Sequence, residues 1–178
     1  MLRTREDAYR LLADIGAPGR LLLHLRLVGE AADELVEAYR ALDLVFDAEL
    51  IELGVAVHDA GKIQHPQELL GPGSLHERAG ERLMLDHGVQ AEVARCCITH
   101  AAWQGEGVSF EERSVALADK LWKGKRQEDL ELLVLDEVAT RLGKARWEVF
   151  QQLDSAFEAI ASRADGRLAR SKCATGAI

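Results

Sequence analysis

Residues 54–62 read Gly-Val-Ala-Val-His-Asp-Ala-Gly-Lys. Their small and apolar start predicts a buried helical turn that presents the imidazole of His58 beside the carboxylate of Asp59. Gly61 is expected to let the chain leave the helix, because glycine accepts the left-handed backbone that ends many helices. Burying His58 and Asp59 is costly unless an ion uses both, and their donor atoms suit a divalent transition metal. Taken alone, the pair also fits a histidine bonded to a backbone carbonyl and an aspartate that caps a helix.

The sequence on either side of this stretch is patterned for helices. Apolar residues recur at spacings of three and four, for example in 20–42 and 111–122, and glycines and prolines separate such segments. No alternating strand pattern of convincing length occurs. We therefore predict an all-α fold, a compact bundle of about seven helices around a central metal site. Residues 1–178 are expected to form a single domain, with 165–178 as a flexible tail.

Length and composition limit the function classes. A chain of 178 residues with 48% hydrophobic and 29% charged residues fits one soluble domain with a substantial core. The formal net charge of −8 argues against a general nucleic-acid binder, which needs a basic face. The N-terminus lacks the apolar core of a signal peptide, and no run approaches the ~20 apolar residues of a membrane span. We therefore expect a cytoplasmic protein that binds no membrane.

Four more ionisable residues lie on helix faces that are otherwise apolar. His24, for example, shares a stripe with Leu21 and Val28. Burying all of these groups without a shared partner would cost several kcal/mol each, against a total stability of roughly 5–15 kcal/mol. One metal centre would satisfy them together with the pair at 58 and 59. The four are His24, His76, His100 and Asp119.

This ordered set resembles the HD-domain superfamily of metal-dependent phosphohydrolases, in particular its six-ligand, dinuclear variety. The resemblance covers roughly residues 21–123, and its motifs are Val57-His58-Asp59-Ala60-Gly61-Lys62 and Ala118-Asp119-Lys120. It implies that His24, His58, Asp59 and Asp119 hold a first metal. It also implies that Asp59 bridges to a second metal, which His76 and His100 complete.

One departure from the family pattern concerns the second metal. Many dinuclear members have two adjacent histidines near the fourth position, whereas Thr99 and Ala101 flank His100 here. The expected cofactors are therefore one or two divalent transition metal ions. Mixed nitrogen and oxygen ligands leave iron, manganese, cobalt, nickel and zinc as alternatives.

By the same resemblance, the chain is expected to hydrolyse a phosphoester or phosphoanhydride bond of a small phosphorylated substrate, with a nucleotide or dinucleotide favoured. Asp59 and Lys62 are the predicted catalytic residues, and Lys62 follows the metal-binding pair closely enough to contact a phosphate oxygen. The basic turn after Asp119 is expected to bind substrate, although a solvated turn fits equally well. The predicted substrate-binding residues are Lys62, Lys120, Lys123 and Arg126.

Two other functions remain as alternatives. Some HD-domain enzymes look like this chain at all six ligand positions but use a mixed-valent di-iron centre to activate oxygen. Lys62 does not separate the two chemistries, because a cation serves a phosphate or an alkoxide alike. A non-catalytic nucleotide sensor is the third reading, and the complete ligand set argues against it. The oligomeric state, including a homodimer, is left open by the sequence.

Overall fold

A computed structural model describes residues 1–173, and this part of the chain is helical throughout, with no strand. The all-α prediction is confirmed, with nine α-helices in the described residues where the sequence predicted about seven. None of the helices described is both long and apolar enough to cross a bilayer. The helices are α1 (Arg5–Asp14), α2 (Gly19–Arg40), α3 (Ala48–Val57), α4 (Leu75–Asp86), α5 (Ala91–Thr99), α6 (Phe110–Leu121), α7 (Glu128–Leu142), α8 (Arg146–Ser162) and α9 (Ala164–Cys173), with 3-10 turns at Ala60–Ile63 and Pro66–Leu69.

Several helix starts are fixed by local side-chain bonds. The Thr4 hydroxyl accepts from the backbone N–H of Asp7, whose carboxylate accepts from the backbone N–H of Thr4, and this capping box begins α1. Ser109 and Glu112 form the same arrangement at the start of α6. Asp47 caps α3 by accepting from the Leu50 N–H. These caps set where α3 and α6 begin, and therefore which of their residues reach the centre of the molecule.

Helix α3 lies in the middle of the bundle and packs against α2, α5 and α6. Its last turn, residues 54–57, is fully buried, as the sequence predicted. A Cβ atom on Gly54 would lie only 2.7 Å from Val115 Cγ2 and 2.8 Å from Cys96 Sγ. The missing side chain therefore lets α5 and α6 approach α3 closely, just before the chain reaches His58.

Gly61 has a different role from the one expected. It lies within the 3-10 turn Ala60–Ile63, and it is not among the glycines with a positive φ, so the expectation of a left-handed helix end was wrong. A Cβ atom at this position would lie 1.9 Å from the His76 carbonyl oxygen and 2.5 Å from the Gly80 nitrogen. Glycine is required here because the backbone of the turn lies directly against α4, which carries His76.

The C-terminal segment is ordered further than the sequence suggested. Residues 164–173 form α9, which packs against α2 and α8. The buried Arg167 donates to the Ile160 carbonyl oxygen and to Glu34, and Arg170 donates to Glu30. These bonds fix α9 on α2, so the prediction of a flexible tail was wrong for 165–173. Its remaining part, 174–178, lies outside the described residues.

Candidate metal centre

All six side chains predicted as metal ligands converge at the centre of the bundle. His58 and Asp59 follow the end of α3, and His100 follows the end of α5. The other three lie on α2, α4 and α6. The nitrogen and oxygen atoms form two groups, and within each group they lie within 4.8 Å of one another. The groups are His24, His58 and Asp119, and Asp59, His76 and His100.

Asp59 lies between the two groups and directs one carboxylate oxygen to each. Its Oδ2 atom is 2.9 Å from His24 Nε2 and 3.7 Å from His58 Nε2. Its Oδ1 atom is 3.2 Å from His76 Nε2 and 3.7 Å from His100 Nε2. This arrangement fits a carboxylate that bridges two metal ions, the role that the family resemblance implies for Asp59.

Three of the histidines are oriented through their Nδ1 atoms. His58 Nδ1 lies 2.9 Å from the Val55 carbonyl oxygen, and His100 Nδ1 lies 3.1 Å from the Cys96 carbonyl oxygen. His76 Nδ1 lies 2.5 Å from Oε2 of a carboxylate, Glu68. Since each Nδ1–H donates to an oxygen, each Nε2 presents a lone pair to the centre.

The donor atoms at the centre fit a divalent transition metal. The Nε2 atoms of His24, His58 and His76 are buried, and within residues 1–173 none of them makes a hydrogen bond of good geometry, although Asp59 lies close to each. Buried polar atoms of this kind are costly unless something satisfies them. Imidazole nitrogens beside carboxylate oxygens suit iron, manganese, cobalt, nickel or zinc. The chain therefore carries the side chains for a metal centre in the place where the sequence predicted one.

Glu68 is a part of the centre that the sequence analysis missed. It lies in the 3-10 turn Pro66–Leu69, within a segment whose prolines and glycines indicate only a loop. Its carboxylate is buried and accepts from the backbone N–H groups of Leu75, at 3.2 Å, and His76, at 3.1 Å, as well as from the His76 ring. Gly73 leaves room for it, because a Cβ there would lie 2.3 Å from Glu68 Cδ.

The two aspartates at the centre stay ionised despite their burial. Burial alone would raise the pKa of Asp59, but the neighbouring His58, His24 and His76 hold that pKa well below its ordinary value. Burial also opposes ionisation of Asp119, whose pKa is nevertheless held well below its ordinary value by His58, Lys123 and Lys120. Both side chains are therefore available as anionic ligands at neutral pH.

The histidines fall into two classes. Burial lowers the pKa of His24, and it lowers the pKa of His100 to about 4. His76 is shifted the other way: burial opposes its protonation, but its contacts with Asp59 and Glu68 raise its pKa. Of these three imidazoles, His76 is thus the one from which a metal must displace a proton most often.

A cleft of about 380 Å³ opens onto the centre. All three of the predicted substrate-binding lysines line it, and each is paired with a carboxylate of the centre. Lys62 Nζ lies 2.6 Å from Asp59 Oδ2, while Lys120 Nζ and Lys123 Nζ lie 2.9 and 3.3 Å from Asp119 Oδ2. These three ammonium groups border the open cleft, and their binding of substrate stays a prediction.

Arg126 does not fit the role that was predicted for it. Its guanidinium group donates to Glu131, Asp154 and Glu158, which joins the start of α7 to α8. It does not line the cleft. Within the basic turn 123–126, Lys123 therefore faces the cleft, whereas Arg126 joins α7 to α8.

The rim of the cleft contains residues that the sequence analysis did not assign to it. Trp122 lines it and lies edge-on to His24, with 4.9 Å between the ring centroids. Arg20 at the start of α2, Glu77 on α4 and Ser171 on α9 also line it. Arg20 and Trp122 lie within one helical turn of His24 and Asp119, whereas no local spacing connects Ser171 with the centre, because α9 is distant in sequence.

Comparison with known protein families agrees with this geometry. The HD domain family matches residues 21–124, which is more than half of the chain. The chain therefore belongs to the HD domain family, within the superfamily of metal-dependent phosphohydrolases, whose members bind divalent metals. Searches of curated proteins and of solved structures gave no match. The resemblance inferred from the ordered histidines and aspartates is confirmed.

Proposed function

We propose that this protein is a metal-dependent hydrolase that cleaves a phosphoester or phosphoanhydride bond of a small phosphorylated substrate, with a nucleotide or dinucleotide favoured. The observation that carries the proposal is the position of Asp59. Its two oxygens face two separate groups of ligand side chains, and Lys62 lies beside it in the same cleft. The cleft volume of about 380 Å³ suits a small molecule.

The proposed metal ligands divide as the two groups of side chains do. His24, His58 and Asp119 would hold one ion, His76 and His100 would hold another, and Asp59 would contact both. When bound, such ions supply a water of lowered pKa as nucleophile and offset the charge that grows on phosphate oxygens. The buried Nδ1 contacts of His58, His76 and His100 fix the orientation of their imidazoles, and each Nε2 would then be available to an ion.

The lysines of the cleft would bind the substrate phosphate. Lys62, Lys120 and Lys123 neutralise the buried carboxylates of the centre, and they stand at the border between those carboxylates and the open cleft. An ammonium group has three donors and no acceptor, so each of them can hold a phosphate oxygen but cannot ligate a metal. Lys62 is proposed as the group that stabilises the charge on the phosphate during cleavage.

The test begins with metal analysis of protein purified without oxygen. A phosphate-release screen against nucleotides, dinucleotides and sugar phosphates follows, with each candidate metal, in the presence and absence of oxygen. We expect release that requires metal and is independent of oxygen. Asp59→Ala should abolish it, whereas Asp14→Ala, at an exposed carboxylate away from the cleft, should not.

Two other outcomes would overturn the proposal. Oxygen consumption by the iron-loaded protein, without phosphate release from any substrate, would assign the centre to the oxygenase chemistry that shares these ligands. Nucleotide binding without turnover under every metal condition would assign it to a sensor.

A further inference from the structure

Arg20 stands apart from the other arginines of its helix. Helix α2 carries three arginines, and Arg26 and Arg40 are paired with Glu6 and Glu37. Arg20 has no ion-pair partner within residues 1–173, although it is exposed and lines the cleft. An unpaired guanidinium at the edge of an active-site cleft is available to an anion from solution, and its planar fork suits a carboxylate or a phosphate.

Arg20 lies about one helical turn away from the nearest ligand of the metal centre on α2. It precedes His24 by four residues, so both side chains project from the same face of the helix, about 6 Å apart along its axis. A group bound by Arg20 therefore lies beyond the ligands of the centre, towards the N-terminal end of α2. That spacing leaves room for a short carbon chain or a sugar between two anionic groups of one substrate.

The charges around the cleft favour binding of an anion on the α2 side over binding on the α4 side. The lysines at 62, 120 and 123 are each engaged with a carboxylate of the centre, whereas the Arg20 guanidinium is not. Across the cleft, Glu77 on α4 lines the wall and has no basic partner in the part of the chain described here. An anion held away from the centre is thus repelled by the α4 wall and attracted to the α2 wall.

The α2 side of the cleft is held in place by contacts between α2 and α9. Helix α9 is held on α2 by the pairs of Arg167 with Glu34 and Arg170 with Glu30, and it places Ser171 in the cleft. The Ser171 hydroxyl donates to the Leu168 carbonyl oxygen at 2.9 Å, which fixes it in place. Both Arg20 and Ser171 lie outside the matched segment 21–124, so this wall is not part of what the match to the family covers.

We propose that Arg20 binds a second anionic group of the substrate, a carboxylate or a phosphate, on the α2 side of the cleft. This rests on the proposed hydrolase function and narrows its substrates to phosphate esters that carry another anion several ångströms from the scissile phosphate. Arg20 is then a determinant of substrate choice and takes no part in the metal centre.

The test compares pairs of ligands that differ in the second anion. For a carboxylate, 3-phosphoglycerate is compared with glycerol 3-phosphate. For a phosphate, adenosine 3′,5′-bisphosphate is compared with adenosine 5′-monophosphate. Calorimetry on metal-free protein gives the affinities without turnover, and steady-state kinetics on manganese-loaded protein gives kcat/KM. We expect the doubly anionic member of at least one pair to be preferred by about 10–100-fold, the scale of a charge-assisted hydrogen bond.

Variants assign that preference to Arg20. Arg20→Gln should abolish it, Arg20→Lys should keep part of it, and Arg3→Gln, at an exposed arginine that does not line the cleft, should leave it intact. Equal binding of both members of both pairs by the wild type, or a preference that survives Arg20→Gln, would overturn the inference. If the preference depends on Arg20 in metal-free protein but no metal-loaded form releases phosphate, the anion site stands and the hydrolase proposal falls.

Discussion

Oε2 of Glu68 lies 2.5 Å from Nδ1 of His76. Glu68 thereby determines which nitrogen of this imidazole carries the proton, and it leaves Nε2 facing Asp59 at 3.2 Å. The carboxylate comes from the 3-10 turn that begins at Pro66, and it accepts from two backbone N–H groups at the start of α4. The loop between α3 and α4 is therefore tied to the metal centre through one side chain.

We predict that Glu68→Gln weakens binding at the group containing His76 and His100 by about 10–100-fold, the usual cost of losing a carboxylate that orients a ligating histidine. The group containing His24, His58 and Asp119 should keep its affinity. Metal titration that resolves the two sites measures both effects. Glu106→Gln, at an exposed glutamate outside the cleft, is the control. Equal weakening of both sites would show that Glu68 supports the fold and not this ligand.

The six ligand candidates could be predicted because each one interrupts an apolar stripe or a buried turn. A histidine at 24 or 100 and an aspartate at 119 stand out against aliphatic neighbours. The helical spacing of three and four residues then predicts that they lie on the buried face. Glu68 could not be found in this way. It follows Pro66 in a segment that has no periodicity, and its contact with His76 exists only because the loop folds back on α4.

Gly61 and Arg126 show a second limit of local patterns. A glycine after a helix fits both a left-handed turn and a close backbone contact, and only the packing of α4 distinguishes them. Arg126 occurs in a run of basic residues beside Asp119, which indicates an anion site. Its partners Asp154 and Glu158 lie 28 and 32 residues further along the chain, where no spacing rule connects them.

Replacing Gly61 tests the contact with α4. Gly61→Ala would put a methyl group 1.9 Å from the His76 carbonyl oxygen, so the turn and α4 must separate. We expect a loss of about 1–3 kcal/mol in the free energy of unfolding, the range for overpacked sites, together with weaker metal binding by His76. Urea denaturation and metal titration measure these effects. Gly71→Ala, whose nearest neighbour would be 3.9 Å away, should be close to neutral.

Metal binding should stabilise the fold, because the ligands come from five helices or helix ends that the ion joins. At a free metal concentration of 100 times Kd, the gain is about 2.7 kcal/mol, which corresponds to a rise in Tm of roughly 5–10 °C for a domain of this size. Removing the metal with a chelator should reverse the rise. Asp59→Asn should show little or no rise, while Asp14→Asn should behave as the wild type. A metal-independent Tm would contradict a shared centre.

Acid should release the metal held by His76 before the metal held by His24. Protonated imidazole cannot ligate, so affinity falls as the pH drops through the pKa of each histidine. That pKa is raised above 6.5 for His76 by Asp59 and Glu68, and it is lowered below 6.5 for His24 by burial. Metal content measured by dialysis between pH 8 and pH 5 should therefore fall in two steps, with the first step absent from His76→Ala. Simultaneous loss of both metals would contradict the assignment.

Replacing Lys62 should affect turnover but not the binding of metal. Its ammonium group lies 2.6 Å from Asp59 Oδ2, but it has no lone pair to give to a metal. Lys62→Ala should therefore leave metal stoichiometry nearly unchanged. It should slow phosphate release by about 10²–10³, the scale for removing one preorganised charge stabiliser. Lys144→Ala, at an exposed lysine away from the cleft, is the matched control. Full activity of Lys62→Ala on every substrate that the wild type cleaves would show that Lys62 is only a counter-ion of Asp59. The phosphate would then have to be held by Lys120 and Lys123, which face the cleft from α6 and the turn that follows it.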